Sequence, residues 1–166
     1  MLRELFTRGQ ESTALSRTSE AAAAPPAASE SFRRKRSALV VDDDPDIPPM
    51  VELALTRYDF EIEGINDGAS ALVRLRSRDY DLVILDLGMA ELDGFELLQA
   101  MKRQRRWRDV PVIVLTADNS EEALARSFGY GADDFVTKPL KPDELGIRAY
   151  RLVEPLSSHG IPRQRP

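Results

Sequence analysis

The chain has 166 residues, 42% of them hydrophobic and 31% charged, with no cysteine, which is enough for one packed core with flanking tails. Disulfides and thiolate metal sites are thereby excluded, and no apolar run approaches the roughly 20 residues of a membrane span. The formal charge of −5 is unevenly spread. Residues 1–36 carry seven Lys/Arg against four Asp/Glu, and residues 37–154 hold fourteen against twenty-four, an acidic body that argues against direct nucleic-acid binding.

Residues 1–36 lack sustained periodicity. The Ala/Pro tract from Ala21 to Ala28, flanked by Ser, Thr and Glu, predicts a disordered leader, because such a composition buries too little surface to order itself. Leu2, Leu5 and Phe6 are the only apolar bulk in the first nine residues, too little for a signal-peptide core. A cytoplasmic protein without membrane insertion is the expectation. Arg33-Arg34-Lys35-Arg36 reads as a solvated charge run.

From Ser37 the texture changes. Ala38-Leu39-Val40-Val41 predicts a short buried strand that ends in Asp42-Asp43-Asp44. A helix follows with Met50, Leu53, Ala54 and Tyr58 on one face. Pro48 and Pro49 fall in its first turn, so it is expected to start near Pro48, with Asp44 helping to cap it. Phe60 to Ile65 alternates like a half-exposed edge strand, and Ala69, Leu72, Val73 and Leu75 make the second helix. The stretch from Asp81 opens on an almost wholly apolar run that carries a carboxylate, Asp86, at its far end, the pattern of a strand buried on both faces. The third helix begins at Phe95, after Asp93-Gly94, and runs into the basic segment Lys102 to Arg108, where Trp107 reads as a cap over the core edge. Val110 to Leu115 is a fourth strand with Pro111 at its start. Glu121 to Phe128 is a helix closed by Gly129 and Gly131, Asp134 to Val136 a fifth strand, and Pro142 to Val153 a last helix. This alternation predicts a parallel sheet with right-handed crossovers and helices on both faces.

In such a sheet the carboxyl ends of the strands share one rim. Asp42 and Asp43, Asp86, and Thr116 stand at three of those ends, and the fifth strand runs into Lys138-Pro139. Alone, Asp86 reads as a turn or capping aspartate. Three carboxylates at one rim, however, require a proton or a cation to compensate them. Oxygen ligands without His or Cys select a hard ion, and Mg²⁺ suits few carboxylates with room for a phosphoryl oxygen. A carboxylate, a divalent cation, the Lys138 ammonium and the Thr116 hydroxyl form a set suited to phosphoryl transfer.

On these residues the chain resembles the receiver domain of two-component response regulators. The matching segments are Val40 to Pro45, Leu85-Asp86-Leu87 with Asp93-Gly94, Val114 to Ala117, and Gly131 to Pro139, and the resemblance covers roughly residues 37–153. It implies a flavodoxin-like doubly wound (βα)5 fold with a five-stranded parallel sheet in the order 2-1-3-4-5. It also implies that Asp86 is the phosphoacceptor and that Asp43, Asp86 and the Gly88 carbonyl bind Mg²⁺ directly, with Asp42 acting mainly through water. Lys138 should contact the phosphoryl oxygens, with a cis bond to Pro139. Thr116 should move toward the phosphoryl group and vacate space for the ring of Phe135, which changes the surface around the fourth helix and fifth strand. The implied phosphodonor is a sensor histidine kinase or a histidine phosphotransfer protein, and the output is a protein contact. The chain is then a signalling phosphoacceptor with self-phosphorylation and self-dephosphorylation only, and not an enzyme acting on other substrates.

Some positions depart from the family pattern. Ala90 stands where proline is usual, Gly88 has no side chain two residues after the phosphoacceptor, and Asp118 lies two after Thr116, so the phosphoryl lifetime is expected to be altered. Pro48-Pro49 lie where the family docks its phosphodonor, and together with Ala90 they motivate an alternative, a receiver-fold interaction module that works without phosphorylation. A hydrolase with an aspartate nucleophile would want a second acid where Gly88 stands. Residues 154–166 are expected to be a short tail, too small for an output domain, with His159 a solvated residue.

Overall fold

The computed structural model describes residues 34–89 and 94–154, so the expectations for the leader before Arg34, for Ala90 to Asp93 and for the tail after Glu154, His159 included, lie outside the described residues. Five strands, β1 (Arg36–Val41), β2 (Phe60–Ile65), β3 (Leu82–Asp86), β4 (Val112–Thr116) and β5 (Asp134–Thr137), pair in parallel in the order β2-β1-β3-β4-β5. Between and after them run α1 (Ile47–Leu55), α2 (Gly68–Ser77), α3 (Gly94–Arg103), α4 (Glu121–Gly129) and α5 (Pro142–Val153). The flavodoxin-like (βα)5 expectation therefore holds, strand order included.

The central strands read as continuous apolar runs because both faces of the sheet are covered. Successive side chains point to opposite faces. Ala38, Val40, Ile84, Ile113 and Leu115 pack under α1 and α5, while Leu39, Val41, Val83, Leu85, Val112 and Val114 pack under α2 and α3. Edge strand β2 is only partly buried. Trp107 is buried and donates its indole N–H to the Leu75 carbonyl at 3.1 Å, the core-edge cap its position suggested.

The first helix is where the sequence reading needs correcting. Its buried face is Ile47, Val51, Ala54 and Leu55, while Met50 and Leu53 are 37% and 71% exposed. The helix starts at Ile47, and from that origin i, i+4, i+7 and i+8 form the inward stripe, which leaves Met50 and Leu53 on the other side. Pro48 and Pro49 do not disturb it. The first α-helical bond runs from Met50 N to Asp46 O, so both prolines occupy positions whose N–H groups would lack a helical partner anyway. A Cβ built on Gly64 of β2 would lie 2.8 Å from Pro48 Cβ, so the missing side chain there makes room for the proline ring. The N-cap residue is Asp46, without a side-chain cap. Asp44 acts two residues upstream, accepting Asp46 N on its carboxylate at 2.9 Å and Ile47 N on its carbonyl at 3.2 Å. In α2, Ala71 and Leu75 are buried, whereas Val73 is 62% exposed.

Candidate functional site

All five strands run the same way, so β1, β3, β4 and β5 deliver their carboxyl ends to one rim. The register sets Val41 beside Leu85, Asp86 beside Leu115 and Thr116 beside Thr137. The residue after β1 (Asp42), the last of β3 (Asp86), the last of β4 (Thr116) and the residue after β5 (Lys138) are therefore neighbours. The connections that follow β1 and β3, through α1 and α3, leave toward opposite faces of the sheet, which opens a crevice between these neighbouring strands at this rim.

Asp42, Asp43 and Asp86 each offer a carboxylate oxygen within 4.8 Å of the others; Asp42 and Asp86 are buried and Asp43 is exposed. Lys138 Nζ donates to Asp86 Oδ2 at 3.0 Å and lies 2.9 Å from Asp42 Oδ2. The second contact is at ion-pair distance but off hydrogen-bond alignment, so the fully buried Asp42 Oδ2 has no aligned donor. Asp42 Oδ1 accepts the Asp44 N–H at 3.0 Å and Asp86 Oδ1 the Gly88 N–H at 3.0 Å. Burial is the largest influence on the Asp42 carboxyl and pushes its pKa up, against the opposing pull of Lys138 and the Asp44 N–H. Burial also presses the Lys138 ammonium down, but its close contacts with the Asp42 and Asp86 carboxylates outweigh that and hold its pKa above the ordinary value.

Two backbone features shape the loop after β3. A Cβ on Gly94 would stand 2.2 Å from the Asp86 carbonyl oxygen and 2.7 Å from Leu87 Cα, so glycine is required for the start of α3 to pass behind the phosphoacceptor candidate. A Cβ on Gly88 would lie 3.6 Å and 3.7 Å from the two Asp86 carboxylate oxygens, which is ordinary contact, leaving the carboxylate open above. The peptide bond Lys138-Pro139 is cis, as the resemblance implied.

A cavity of about 370 Å³ opens beside Asp86, lined also by Gly88, Phe95, Thr116, Asp118, Ala123 and Lys138. Thr116 Oγ1 accepts the Asp118 N–H at 3.0 Å and donates to the Asp118 carbonyl at 3.1 Å. Phe135 is half-buried and meets the Phe128 ring edge-on, centroids 5.8 Å apart. The structure thus gathers Asp42, Asp43, Asp86, Gly88, Thr116 and Lys138 at one cleft and sets Phe135 one strand away, on β5. The sequence reading did not single out Phe95 or Ala123 as cavity walls. The one available signal for Phe95 was its place directly after Gly94.

The oxygen-only donor set of Asp42, Asp43 and Asp86, with the Asp43 carboxylate exposed, fits a hard divalent cation. Among the described residues no helix is long and apolar enough to cross a membrane.

Comparison with known proteins agrees with this geometry. Residues 38–149 match the family model described as the response regulator receiver domain. The chain is 37% identical over 121 residues to the transcriptional regulatory protein TcrA of Mycobacterium tuberculosis, covering 72% of this chain and 46% of that protein. It is 34% identical over 103 residues to the transcriptional regulatory protein QseB of Haemophilus influenzae, covering 62% and 46%. The matched stretch thus spans about half the length of these curated relatives. Among solved structures, the chemotaxis response regulator CheY4 of Vibrio cholerae superposes with a TM-score of 0.67 at 29% identity, covering 72% of this chain and 99% of that one. A response regulator structure from Chloroflexus aurantiacus superposes at 0.69 and 28%, covering 72% and 98%.

Proposed function

The chain belongs to the response regulator receiver domain family of two-component systems, and from that premise we infer that it accepts a phosphoryl group on Asp86 and signals through Thr116 and Phe135 to a protein partner. The observation that carries this reading is the Asp86 carboxylate at the mouth of the cavity, bonded to Lys138 at 3.0 Å with Asp42 and Asp43 beside it.

In the reaction, an Asp86 carboxylate oxygen attacks phosphorus. The new O–P bond forms as the P–N bond to a donor imidazole breaks, and the departing imidazole nitrogen keeps the electron pair. Lys138 turns its ammonium from the carboxylates toward the phosphoryl oxygens and balances their charge. Asp43, Asp86 and the Gly88 carbonyl would hold Mg²⁺, with Asp42 acting through its water. The cation supplies charge neutralisation at the transferring group. Donors in this family are sensor histidine kinases or histidine phosphotransfer proteins, and exposed Met50 and Leu53 on α1 offer such a protein an apolar contact.

The contacts that Thr116 and Phe135 hold at rest support the switch. Thr116 exchanges its two bonds to Asp118 for one to a phosphoryl oxygen, and the Phe135 ring leaves Phe128 for the vacated space. The surface of α4 and β5 changes as a result. The test is incubation of the full chain with phosphoramidate with and without Mg²⁺, followed by intact mass. One phosphoryl group is expected, dependent on Mg²⁺ and absent in Asp86→Asn. Beryllofluoride with Mg²⁺ should shift the amide resonances of Thr116 and Phe135; shifts confined to Asp42, Asp43 and Asp86 would sink the switch.

A further inference from the structure

Helix α4 is held differently from the others. Its only buried residue is Ser127, whereas α1, α2, α3 and α5 each bury at least two apolar side chains. Ring contacts take the place of a hydrophobic stripe. Phe128 meets Phe135 on one side. On the other, the Arg126 guanidinium lies 4.0 Å from the centre of the Phe95 ring and 5.7 Å from that of Tyr130, and those two rings pack 5.5 Å apart. Among the described residues no carboxylate pairs with Arg126, and its exposed guanidinium lies against these rings at the surface.

Phe95 is tied to the reacting carboxylate. It follows Gly94, whose backbone passes against the Asp86 carbonyl, and it lines the cavity together with Asp86, Thr116 and Ala123. Ala123 and Arg126 are three residues apart on α4 and therefore share a face. The stack thus joins the two helices whose first turns wall the cavity.

We propose that Arg126 is a positioning residue for the phosphoacceptor site: stacked on Phe95, it latches α4 to the start of α3 and holds the cavity wall in its unphosphorylated arrangement. The proposal rests on the receiver reading above. Movement of Thr116 toward a phosphoryl group draws on the loop through Asp118 to Ser120, whose hydroxyl caps α4 by accepting the Ala123 N–H at 3.2 Å. Displacing that first turn stretches a contact which depends steeply on distance. A helix without a buried apolar anchor has little else to resist the motion, so the latch weighs on the balance between the two arrangements. A cation–π contact at a partly exposed site corresponds to a two- to fivefold bias, about.

The full chain, Arg126→Met, Phe95→Leu, the double variant and Arg126→Lys are titrated with beryllofluoride at fixed Mg²⁺, following the Thr116 and Phe135 amides, and their phosphoramidate rates are measured. Arg126→Met and Phe95→Leu should each lower the beryllofluoride midpoint and raise the phosphorylation rate about two- to fivefold. The double variant should gain no more than either alone, because both remove one contact. Arg126→Lys should fall between the parent and Arg126→Met, since an ammonium keeps the attraction to the ring but loses the planar stacking of the guanidinium. A thermal midpoint that falls while the beryllofluoride midpoint stays put would show a merely structural contact and overturn the latch, as would two effects that multiply. A parent chain that takes no phosphoryl group removes the receiver reading itself, and the latch with it.

Discussion

Lys138→Met withdraws an ammonium that lies 2.9 Å from Asp42 Oδ2 and 3.0 Å from Asp86 Oδ2. The two carboxylate side chains left behind are 0% and 8% exposed. At an effective dielectric near 20, each contact carries roughly 5 kcal/mol of gross attraction, most of it offset by the cost of taking the ions out of water. Removing one partner of a buried ion pair typically costs about 3–5 kcal/mol. Because 21% of the Lys138 side chain reaches solvent, the expected loss is at the lower end, about 3 kcal/mol. Equilibrium unfolding in urea with a chelator present should show it as a midpoint lower by about 1.5–2 M. The second arm is Asp42→Asn, which should return about 1–2 kcal/mol to the Lys138→Met chain while changing the parent less. A midpoint within 0.3 M or so of the parent, or an Asp42→Asn effect equal in both backgrounds, would refute the view that Lys138 is the charge balancing this pair.

Gly94→Ala drives a methyl to 2.2 Å from the Asp86 carbonyl oxygen. It should cost about 1–3 kcal/mol of unfolding free energy and slow phosphorylation by phosphoramidate, with far-ultraviolet dichroism unchanged. Gly64→Ala puts Cβ 2.8 Å from Pro48 Cβ; a loss of about 1 kcal/mol is expected, and Pro48→Ala should relieve most of it in a double-mutant cycle. Gly88→Asn places a side chain in ordinary contact with the Asp86 oxygens and should change the dephosphorylation rate without unfolding the chain; an unaltered rate defeats the view that this opening governs water access. Burial is the largest influence on Asp81 and pushes its carboxyl up, but the Ser37 N–H at 2.8 Å, Arg34 and the Ser37 hydroxyl together hold its pKa below the ordinary 3.8. The unfolded chain therefore binds the proton more readily, so this stability is present above about pH 4 and lost as pH falls through the folded value. Urea midpoints of Asp81→Asn should show a shallower decline than the parent below that pH.

The legible parts of the fold were those where local pattern and tertiary demand agree. The runs Leu39-Val40-Val41, Leu82 to Leu85 and Val112 to Leu115 are apolar at every position because both faces are covered, and no competing period disguises them. The last helix, Pro142–Val153, carried its own boundaries, with proline in the first turn and Asp143 and Glu144 after it. The first helix was harder. Its start was legible from the prolines, but its buried face was not, because in nine residues one misplaced origin turns the inward stripe onto solvent, and Met50 is apolar enough to mislead.

At the site, the chain by itself settled which groups stand at the strand ends, since position in an alternating βα pattern decides that whatever the packing. Asp42, Asp43, Asp86, Thr116 and Lys138 follow from that alone. Only the tertiary structure decided the distances: that Lys138 reaches both Asp42 and Asp86, that Gly94 must be glycine because α3 passes behind the Asp86 carbonyl, and that Gly64 leaves room for Pro48. It also set Arg126 over Phe95, thirty-one residues away and with no periodicity linking them. Periodicity governs which face of an element is buried, whereas contacts between elements depend on how helices cross the sheet, and no local pattern along the chain encodes that.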